Sequence, residues 1–487
     1  MGAYTKSKIL AIVSGPLACI LFVFFIRLDE KNPQISYMAG ITLWMAIWWF
    51  TEAVHLAVTA FIPFLFIPLL GIGEAKIVAQ QYSDSIIFLF LGGFMLAFAI
   101  EKYDLHRRIA LKVLSVVGSN PASVLFGTML STYLISNWIS NTATTIMLFG
   151  AVLALVIELE KHIPQNHAKF AAAMLLGLAY AATIGGMATP VGTPPNMFFF
   201  KEYLKNYPEL HDLNFLKWAM IGYPISFAFL LACYLVLKKY FLKNVKKLEV
   251  GKSFFKDTYK ELGKVCFEQK VIIGIFLSCV LLWFTREDLI FDSFVFKGWK
   301  NIFALPKAID DGSVAIAAAL ALFLIPSKKN KGEALLTWDD AKKIRYDIIL
   351  LFGSGFALAY GFEQSGLSDW LALRLVFMKH VHPVILIAGI CVIVTIISEF
   401  ASNIASIQLC IPIMISLQKE IGVHPLLLMM PATFAASLGF MLPVATAANT
   451  IVFGTNKINI KDMLKVGLVL DIIGIVIITL LTYFYLR

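Results

Sequence analysis

The sequence predicts an all-α polytopic membrane protein with about 11 transmembrane helices and two re-entrant helical hairpins, arranged in two inverted repeats. Composition is the first observation: of 487 residues, 59% are hydrophobic and 15% are charged, whereas soluble domains average about 25% charged residues. The second is a series of apolar runs close to the roughly 20 residues that a spanning helix needs. The third is a pair of polar clusters, around Ser140 and Ser402, that lie 262 positions apart.

The apolar runs are interpreted in chain order as separate spans. The first, Ile9 to Ile26, has no small-residue cleavage pattern after it, so we interpret it as a retained helix and not as a signal peptide. The predicted spans cover approximately residues 9–27, 37–53, 55–72, 85–101, 168–200, 214–238, 270–285, 312–326, 346–363, 424–453 and 463–486.

Two further apolar segments, approximately residues 117–157 and 380–418, each hold one polar cluster near the middle. Each is long enough for one long helix or for two short helices that meet at the cluster. We favour re-entrant hairpins, because two half-helices place helix termini at the cluster, and broken helices of this kind build ion and substrate sites in transporters.

Basic residues in the loops predict the orientation of the spans. Segments 238–270 and 327–345 are rich in lysine and are expected on the cytoplasmic side. The loop 286–311 is balanced to acidic and is expected outside. With Lys6 and Lys8 inside, about 11 crossings of the cell membrane place the N-terminus in the cytoplasm and the C-terminus outside.

The spacing of 262 positions also joins Phe94 to Phe356 and Glu101 to Glu363, which indicates an internal repeat. Five predicted crossings separate the two copies, so the copies have opposite orientations. Inverted repeats with paired broken segments are typical of secondary transporters, whose site lies at the midplane between the repeats. The predicted organisation comprises a leader with the first helix (1–36), a first repeat (37–240), a basic cytoplasmic or interfacial linker (241–269) and a second repeat (270–487).

Each polar cluster is followed by a second polar break. The breaks run from Ala188 to Asn196 and from Met441 to Asn449, and they align at a spacing of 253 positions. Proline and glycine interrupt a helix at membrane depth and free backbone carbonyl groups. Freed carbonyls with serine and asparagine oxygens suit a hard cation such as sodium, whereas freed amides and hydroxyls at half-helix N-termini suit an anion. Each half therefore offers one cation cage and half of an anion site.

Single polar residues have a structural interpretation as well. Serine and threonine in membrane helices often bond only to their own backbone or hold helices together. A duplicated cluster with a duplicated break favours a site instead. Glu399 is ionisable and lies deep in an apolar run, opposite neutral Asn137 in the repeat. Two roles stay open for it, a structural carboxyl bonded to the backbone and an ion-coupling group.

Other function classes lack the residues that they need. No cluster holds a nucleophile–base pair or a metal set, so the sequence does not indicate an enzyme. The six cysteines and eight histidines are scattered without metal or redox spacing. The net charge of +10 reflects orientation in the membrane and does not indicate a nucleic-acid partner.

At these residues the sequence resembles the divalent-anion:sodium symporter (DASS) family of INDY-like di- and tricarboxylate transporters. The resemblance extends over nearly the whole chain, and its most specific parts are Ser140-Asn141-Thr142, Ser402-Asn403-Ile404 and Gly192-Thr193-Pro194-Pro195-Asn196. It implies that the tips of two opposed re-entrant hairpins bind the carboxylates of the substrate. It also implies a homodimer in which a transport domain, holding both hairpins, moves as a rigid elevator against a scaffold.

The resemblance further implies sodium as the coupling ion, bound at two sites. The first sodium site is expected at Ser136, Ser140, Asn141 and Gly192. The second is expected at Ser398, Ala401, Asn403 and Ala445.

The expected function is secondary active transport of a small divalent anion, a C4 dicarboxylate such as succinate, malate or fumarate, coupled to sodium. No Arg or Lys lies in either cluster or break, so neutral donors, helix N-termini and cations are expected to hold the anion. The alternatives are a sodium-independent dicarboxylate or citrate exchanger, a sulfate transporter and an anion channel. The expected substrate-binding residues are Asn141, Thr142, Thr193, Ser402, Asn403, Ile404 and Thr446.

The second half departs from the family pattern at two places. Ile404 stands where the family signature has threonine, and Ala447-Ala448 stands where the family usually has two prolines. If Ile404 lines the site, its missing hydroxyl predicts that the first half contributes more to substrate binding. The alternative is that Ile404 packs against a helix and that Ser402 and Asn403 make all the anion contacts in the second half.

Overall fold

The computed structural model describes residues 6–486 apart from 118–119, 161–166, 211–212, 244–253, 292–293, 304 and 306–308. The described residues form 23 α-helices and one short antiparallel β-hairpin. Eight helical segments are long and apolar enough to cross a bilayer, and five shorter helices are apolar as well. The predicted fold class, an all-α polytopic membrane protein, is confirmed.

The helices of the first half follow the predicted spans, with short helices between them. Proline favours the first position of a helix, where its missing N–H has no partner to lose, and Pro33, Pro121 and Pro194 each begin a helix here. The helices are α1 (Lys6–Phe25), α2 (Pro33–Thr51), α3 (Leu56–Thr59), α4 (Phe61–Leu69), α5 (Ala75–Gln81), α6 (Ser85–Lys102), α7 (Leu105–Val117), α8 (Pro121–Ser136), α9 (Asn141–Glu160), α10 (His167–Gly186), α11 (Pro194–Asn206) and α12 (Phe215–Phe241).

The second half repeats this pattern with a short linker helix and the β-hairpin added. The elements are α13 (Phe254–Glu261), α14 (Phe267–Thr285), β1 (Leu289–Phe291), β2 (Phe294–Phe296), α15 (Asp311–Leu324), α16 (Trp338–Ala341), α17 (Tyr346–Ser365), α18 (Leu367–Leu375), α19 (Pro383–Phe400), α20 (Asn403–Ile421), α21 (Leu426–Ala435), α22 (Ala447–Phe453) and α23 (Ile460–Leu486).

Three predicted spans are each two helices in the structure. The span 55–72 is α3 followed by α4, because Pro63 has no N–H to donate to the carbonyl of Thr59 four residues earlier. The spans 168–200 and 424–453 are also divided, the first into α10 and α11 and the second into α21 and α22. Both divisions fall at the proline-containing polar breaks.

Each of the two clustered segments forms a pair of half-helices, as the hairpin interpretation predicts. In the first pair α8 and α9 meet at residues 137–140, and in the second α19 and α20 meet at residues 401–402. We call these pairs hairpin 1 and hairpin 2, and the residues between the half-helices their tips. Side-chain caps begin all four half-helices, at Asn120 for α8, Ser140 for α9, His382 for α19 and Ser402 for α20.

Helix α10 lies at the centre of the first half. Seventeen of its 20 residues are buried, and it packs against α8, α9, α12 and α22. Small residues permit this packing: a Cβ on Gly185 would lie 2.6 Å from the carbonyl oxygen of Tyr133 in α8. The C-terminal end of α10 is thereby held against the tip of hairpin 1.

Helix α17 connects the second hairpin to the rest of the molecule. It packs against α2, α3, α4 and α20. The side-chain amide of Gln408 in α20 donates to the carbonyl of Leu351 in α17 at 2.8 Å. This contact fixes the start of α17 beside the tip of hairpin 2.

The basic linker is only partly described. Among the described residues its predicted surface helix is limited to α13, which packs against α7. Residues 244–253, which include Lys246, Lys247 and Lys252 of the predicted cytoplasmic segment, lie outside the described residues.

Candidate functional site

A group of oxygen atoms gathers behind the tip of hairpin 1. The hydroxyl oxygen of Ser136 lies 2.6 Å from the carbonyl oxygen of Ala182 and 3.0 Å from Oδ1 of Asn141. One hydroxyl proton serves both acceptors, so lone pairs outnumber protons in this group. Oxygen clusters of this kind suit a hard cation such as sodium.

The polar break after α10 closes this cage from the other side. Gly186 lies directly against Oδ1 of Asn141, and a Cβ on Gly192 would lie 2.6 Å from the carbonyl oxygen of Gly186. The side-chain amide of Asn196 donates to the carbonyls of Gly186 and Thr189 at 2.9 and 2.8 Å, which fixes the shape of the break. Glycine is required at Gly186 because the asparagine oxygen occupies the place of a side chain.

The second half repeats these contacts. The hydroxyl oxygen of Ser398 lies 2.6 Å from the carbonyl oxygen of Ala436 and 3.2 Å from Oδ1 of Asn403. The side-chain amide of Asn449 donates to the carbonyls of Gly439 and Leu442 at 2.9 and 3.1 Å. The two cages thus have matching hydrogen bonds at matching positions, in agreement with the repeat that the sequence spacing indicates.

The remaining predicted sodium ligands lie at the edges of the two cages. The hydroxyl of Ser140 accepts the amide of Ala143 at 3.4 Å at the start of α9. Ala401 ends α19 and is buried. Ala445 packs next to Gly439, where an added Cβ would lie 3.2 Å from its own Cβ.

One cavity of about 560 Å³ joins the two hairpin tips. Its volume falls in the range of about 300–1,000 Å³ that is typical of small-molecule sites. All seven predicted substrate-binding residues line it, namely Asn141, Thr142, Thr193, Ser402, Asn403, Ile404 and Thr446. The structure therefore brings together residues that are up to 305 positions apart in the chain.

Among the helices that begin at the wall of this cavity are the four that follow a hairpin tip or a polar break: α9, α11, α20 and α22. A helix N-terminus carries unpaired N–H groups and the positive end of the helix dipole, so it attracts anions. The two halves differ in their donors, because Pro194 and Pro195 have no N–H, whereas Ala447 and Ala448 each have one. Ala447 and Ala448 therefore add backbone N–H donors in the second half, where Ile404 lacks the hydroxyl that Thr142 has in the first.

A family model described as "Sodium:sulfate symporter transmembrane region" matches residues 7–487. The chain belongs to this sodium:sulfate symporter family. The match includes both hairpins and both polar breaks, so the family resemblance that the Ser-Asn motifs indicate is confirmed.

Two curated relatives match this family member over almost its full length. The Sodium-dependent dicarboxylate transporter SdcS of Staphylococcus saprophyticus subsp. saprophyticus is 36% identical over 489 residues, covering 99% of this chain and 92% of that protein. SdcS of Staphylococcus aureus is 36% identical over 488 residues with the same coverage.

A solved structure shares the fold of this sodium:sulfate symporter family member. The solved structure is that of Neisseria gonorrhoeae MtrF, described as illuminating a class of antimetabolite efflux pumps. It aligns with a TM-score of 0.55 at 14% sequence identity. The alignment covers 91% of this chain and 97% of that chain. At this low identity the likeness concerns the fold alone.

Glu399 lies behind the tip of hairpin 2 and is almost fully buried. Its two carboxylate oxygens accept the backbone amides of Met441 and Leu442 at 2.8 and 3.0 Å. The equivalent connection in the first half is different, since the hydroxyl of Thr189 donates to the backbone carbonyl of Asn137. Of the two roles left open by the sequence, the observed bonding supports a structural carboxyl that holds the second break.

Three charged residues of the cavity are not among the residues that the sequence predicts for the site. Arg345, Asp347 and Glu52 line the same cavity as the hairpin tips. Arg345 was interpreted only as part of a basic cytoplasmic loop. The signal that was available is the acidic Asp347 at the start of an apolar span, two residues after an arginine.

A second and larger cavity, of about 650 Å³, lies between α7 and the two helices of hairpin 1. None of the candidate site residues lines it. Size alone does not identify the site, because the cavity at the hairpin tips is the one that combines oxygen cages with helix N-termini.

Proposed function

We propose that this member of the sodium:sulfate symporter family is a secondary transporter that carries a small C4 dicarboxylate across the membrane together with sodium. The observation that carries the proposal is that two matching oxygen cages flank one cavity at which the helices after both tips and both breaks begin. The cages suit sodium, and the helix N-termini suit carboxylate groups.

The charges of the cavity support coupling to a cation. Its charged lining residues are Arg345 against the two carboxylates of Asp347 and Glu52, an excess of one negative charge. A dianion entering such a cavity is repelled, and its desolvation is costly. Two sodium ions in the cages reverse the sign of the local charge, so sodium binds first and the dicarboxylate second.

The presence of two anion half-sites favours a dicarboxylate over sulfate. One half-site lies at the tip of hairpin 1 and the other at the tip of hairpin 2, so each can take one carboxylate. Sulfate is a single compact group and meets both tips less well in a cavity of about 560 Å³. The two relatives named as sodium-dependent dicarboxylate transporters support the same choice.

The proposal includes the setting of the protein in the cell membrane. The N-terminus is cytoplasmic, the C-terminus is external, and the chain divides into two inverted repeats (37–240 and 270–487) joined by the basic linker. Two copies form a homodimer in which the part holding both hairpins moves as an elevator. Exposed apolar side chains on α1 and α4, such as Phe24, Leu65 and Leu69, support contact with lipid or with the second copy.

Uptake of labelled succinate into proteoliposomes tests the proposed function. Purified protein is reconstituted, and uptake is measured with an inward gradient of sodium, with the same gradient of potassium, and with vesicles preloaded with unlabelled succinate. Of these three conditions, we expect concentrative uptake only with the inward sodium gradient. Uptake that requires preloading and ignores sodium would establish the exchanger instead, and competition by sulfate but not by fumarate would establish a sulfate transporter.

An electrical recording separates the transporter from an anion channel. The same protein is placed in a planar bilayer with succinate and sodium on both sides. A transporter gives no unitary conductance steps, whereas a channel does. Resolved unitary anion currents would contradict secondary transport.

A further inference from the structure

Arg345 and Asp347 form a two-pronged ion pair at the edge of the cavity. Nε of Arg345 lies 2.9 Å from Oδ1 of Asp347, and a terminal nitrogen lies 2.7 Å from Oδ2. This is the fork geometry in which a guanidinium recognises any carboxylate. The side chain of Arg345 is 55% exposed and that of Asp347 is 26% exposed.

Arg345 also borders a third cavity, which is smaller and has a volume of about 260 Å³. This cavity shares Ser140 and Thr142 of hairpin 1 with the cavity at the tips, and Lys343 and Glu101 also line it. Arg345 therefore borders both cavities. An anion in either cavity meets the side chain of Arg345.

The fold fixes Arg345 at this place. It directly precedes α17, and that helix is bonded to hairpin 2 through Gln408 and Leu351 at 2.8 Å. The ion pair is thus attached to a helix that packs against the substrate-binding hairpin. It is not a feature of a free surface loop.

Asp347 is a carboxylate and so occupies Arg345 in the same way as a substrate carboxylate would. Ion pairs with exposed members are weak, so an arriving anion can replace Asp347 without a large loss. Asp347 is partly exposed to solvent, and Nε2 of His55 lies 4.0 Å from its Oδ2. The arrangement has the properties of an exchangeable site.

We propose that Arg345 is a second, transient subsite for dicarboxylates at the mouth of the cavity, with Asp347 as an internal competitor that is displaced when the anion passes. The inference rests on the proposed function. It identifies the residue that receives the anion as the anion leaves the hairpin tips or approaches them. Asp347 prevents the arginine from retaining the anion and so keeps release fast.

Steady-state transport of succinate tests this subsite in four variants. Succinate is titrated at saturating sodium in proteoliposomes with wild type, Arg345→Gln, Arg345→Lys, Asp347→Asn and the double variant Arg345→Gln/Asp347→Asn. Lys342→Gln is the matched control, because Lys342 pairs with Asp339 at 2.7 Å in the same loop and lines neither cavity. Size-exclusion profiles check that each variant is folded.

Arg345→Gln and Asp347→Asn should move the KM for succinate in opposite directions. Arg345→Gln should raise KM about tenfold, since one charge-assisted interaction is lost, and Arg345→Lys should recover part of the loss. Asp347→Asn should lower both KM and Vmax, because the free guanidinium holds the anion longer. The double variant should match Arg345→Gln, since Asp347 acts only through Arg345.

A purely structural ion pair predicts a different pattern. If the ion pair were purely structural, Arg345→Gln and Asp347→Asn would both raise KM, or both would leave KM equal to that of the Lys342→Gln control. Either of these two outcomes would overturn the subsite. If the wild-type protein transports succinate and the variants give one of them, only the inference fails. If the wild-type protein transports no dicarboxylate, the proposed function fails and the subsite fails with it.

Discussion

The carboxylate of Glu399 accepts the backbone amide of Met441 at 2.8 Å, and this bond joins the tip of hairpin 2 to the break before α22. The other carboxylate oxygen accepts the next amide, that of Leu442. In the first half a threonine hydroxyl and a backbone carbonyl make the equivalent connection. The two halves therefore hold their cages by different means, and only the second depends on a charged side chain.

The first prediction follows from this asymmetry. Glu399→Gln replaces one acceptor oxygen with an NH2 group, which faces a backbone donor and leaves it unpaired. An unsatisfied buried group costs about 1–3 kcal/mol, so we expect a lower unfolding temperature and a weaker apparent affinity for sodium. Thermal unfolding in detergent and a sodium titration of succinate uptake measure both effects. Glu363→Gln, on an exposed glutamate of α17, is the control and should change neither.

The second prediction concerns coupling between the ion and the substrate. Asn141 and Asn403 each contribute an oxygen to a cage and also line the cavity at the hairpin tips. Asn141→Ala or Asn403→Ala should therefore weaken sodium and succinate binding together, each by about tenfold or more. Linkage requires that sodium raise the succinate affinity by the same factor as succinate raises the sodium affinity.

Binding of succinate and sodium to purified protein, measured by calorimetry in both orders of addition, tests this linkage. Equal succinate affinity with and without sodium in the wild-type protein would remove coupling from the proposed mechanism. A loss of succinate binding with unchanged sodium binding in Asn141→Ala would place that residue in the substrate site alone.

The third prediction concerns glycine at the first cage. Oδ1 of Asn141 occupies the place where a Cβ of Gly186 would stand, so Gly186→Ala should displace the asparagine and weaken sodium binding by about tenfold or more. Gly439→Ala should have a smaller effect, since its nearest neighbour is the Ala445 methyl at 3.2 Å. Gly93→Ala, whose added Cβ would meet no other part of the structure within 4 Å, is the control. A sodium titration of uptake that ranks the three variants differently would refute this account of the cage.

The fourth prediction concerns orientation. Cys266 is the exposed one among the six free cysteines, and it precedes α14 at the end of the basic linker. A membrane-impermeant maleimide should therefore label it only from the cytoplasmic side. Lys297, in the loop on the other side of α14, is exposed, and Lys297→Cys in a Cys266→Ser background should label only from outside. Labelling of both positions from one side would contradict the predicted crossing by α14.

The hairpins could be predicted from the sequence because of a solubility constraint. The polar clusters around Ser140 and Ser402 interrupt long apolar segments, and lipid cannot satisfy polar groups, so the clusters had to face protein or a cavity. The spacing of 262 positions then indicated that the two clusters are equivalent. Both conclusions depend on composition and spacing alone.

The position of Arg345 at the cavity could not be predicted from composition and spacing. Loop charges indicate orientation, and a basic residue at the end of a span needs no further explanation. Its place in the cavity depends on how α17 packs against α20, through Gln408 and Leu351. Packing between distant segments leaves no periodic pattern in a single sequence. The prolines in the spans 168–200 and 424–453 indicated that each span is interrupted. They did not indicate the oxygen cage that lies at each interruption.

The last prediction concerns the unequal hydroxyls of the two hairpin tips. Thr142 and Ile404 occupy equivalent positions, and both line the cavity at the hairpin tips. Thr142 can donate a hydroxyl to a carboxylate, and a hydrogen bond to a charged group is worth about 1.5–3 kcal/mol. Thr142→Ala should therefore raise the succinate dissociation constant about tenfold or more. Thr132→Ala, in which the lost hydroxyl bonds to the carbonyl of Thr128 away from the cavity, is the control and should have no such effect.

Ile404→Thr restores the hydroxyl that the second tip lacks. The side chain is 7% exposed and borders the cavity, so a β-branched threonine should fit without disturbing α20 and should tighten dicarboxylate binding or widen the range of substrates. Titration of purified wild type and the variants with succinate, at saturating sodium, gives the dissociation constants directly. A silent Thr142→Ala together with an Ile404→Thr that abolishes binding would show that the two half-sites are assigned the wrong way round, since the anion would then depend on the apolar wall at Ile404 and not on the hydroxyl at Thr142.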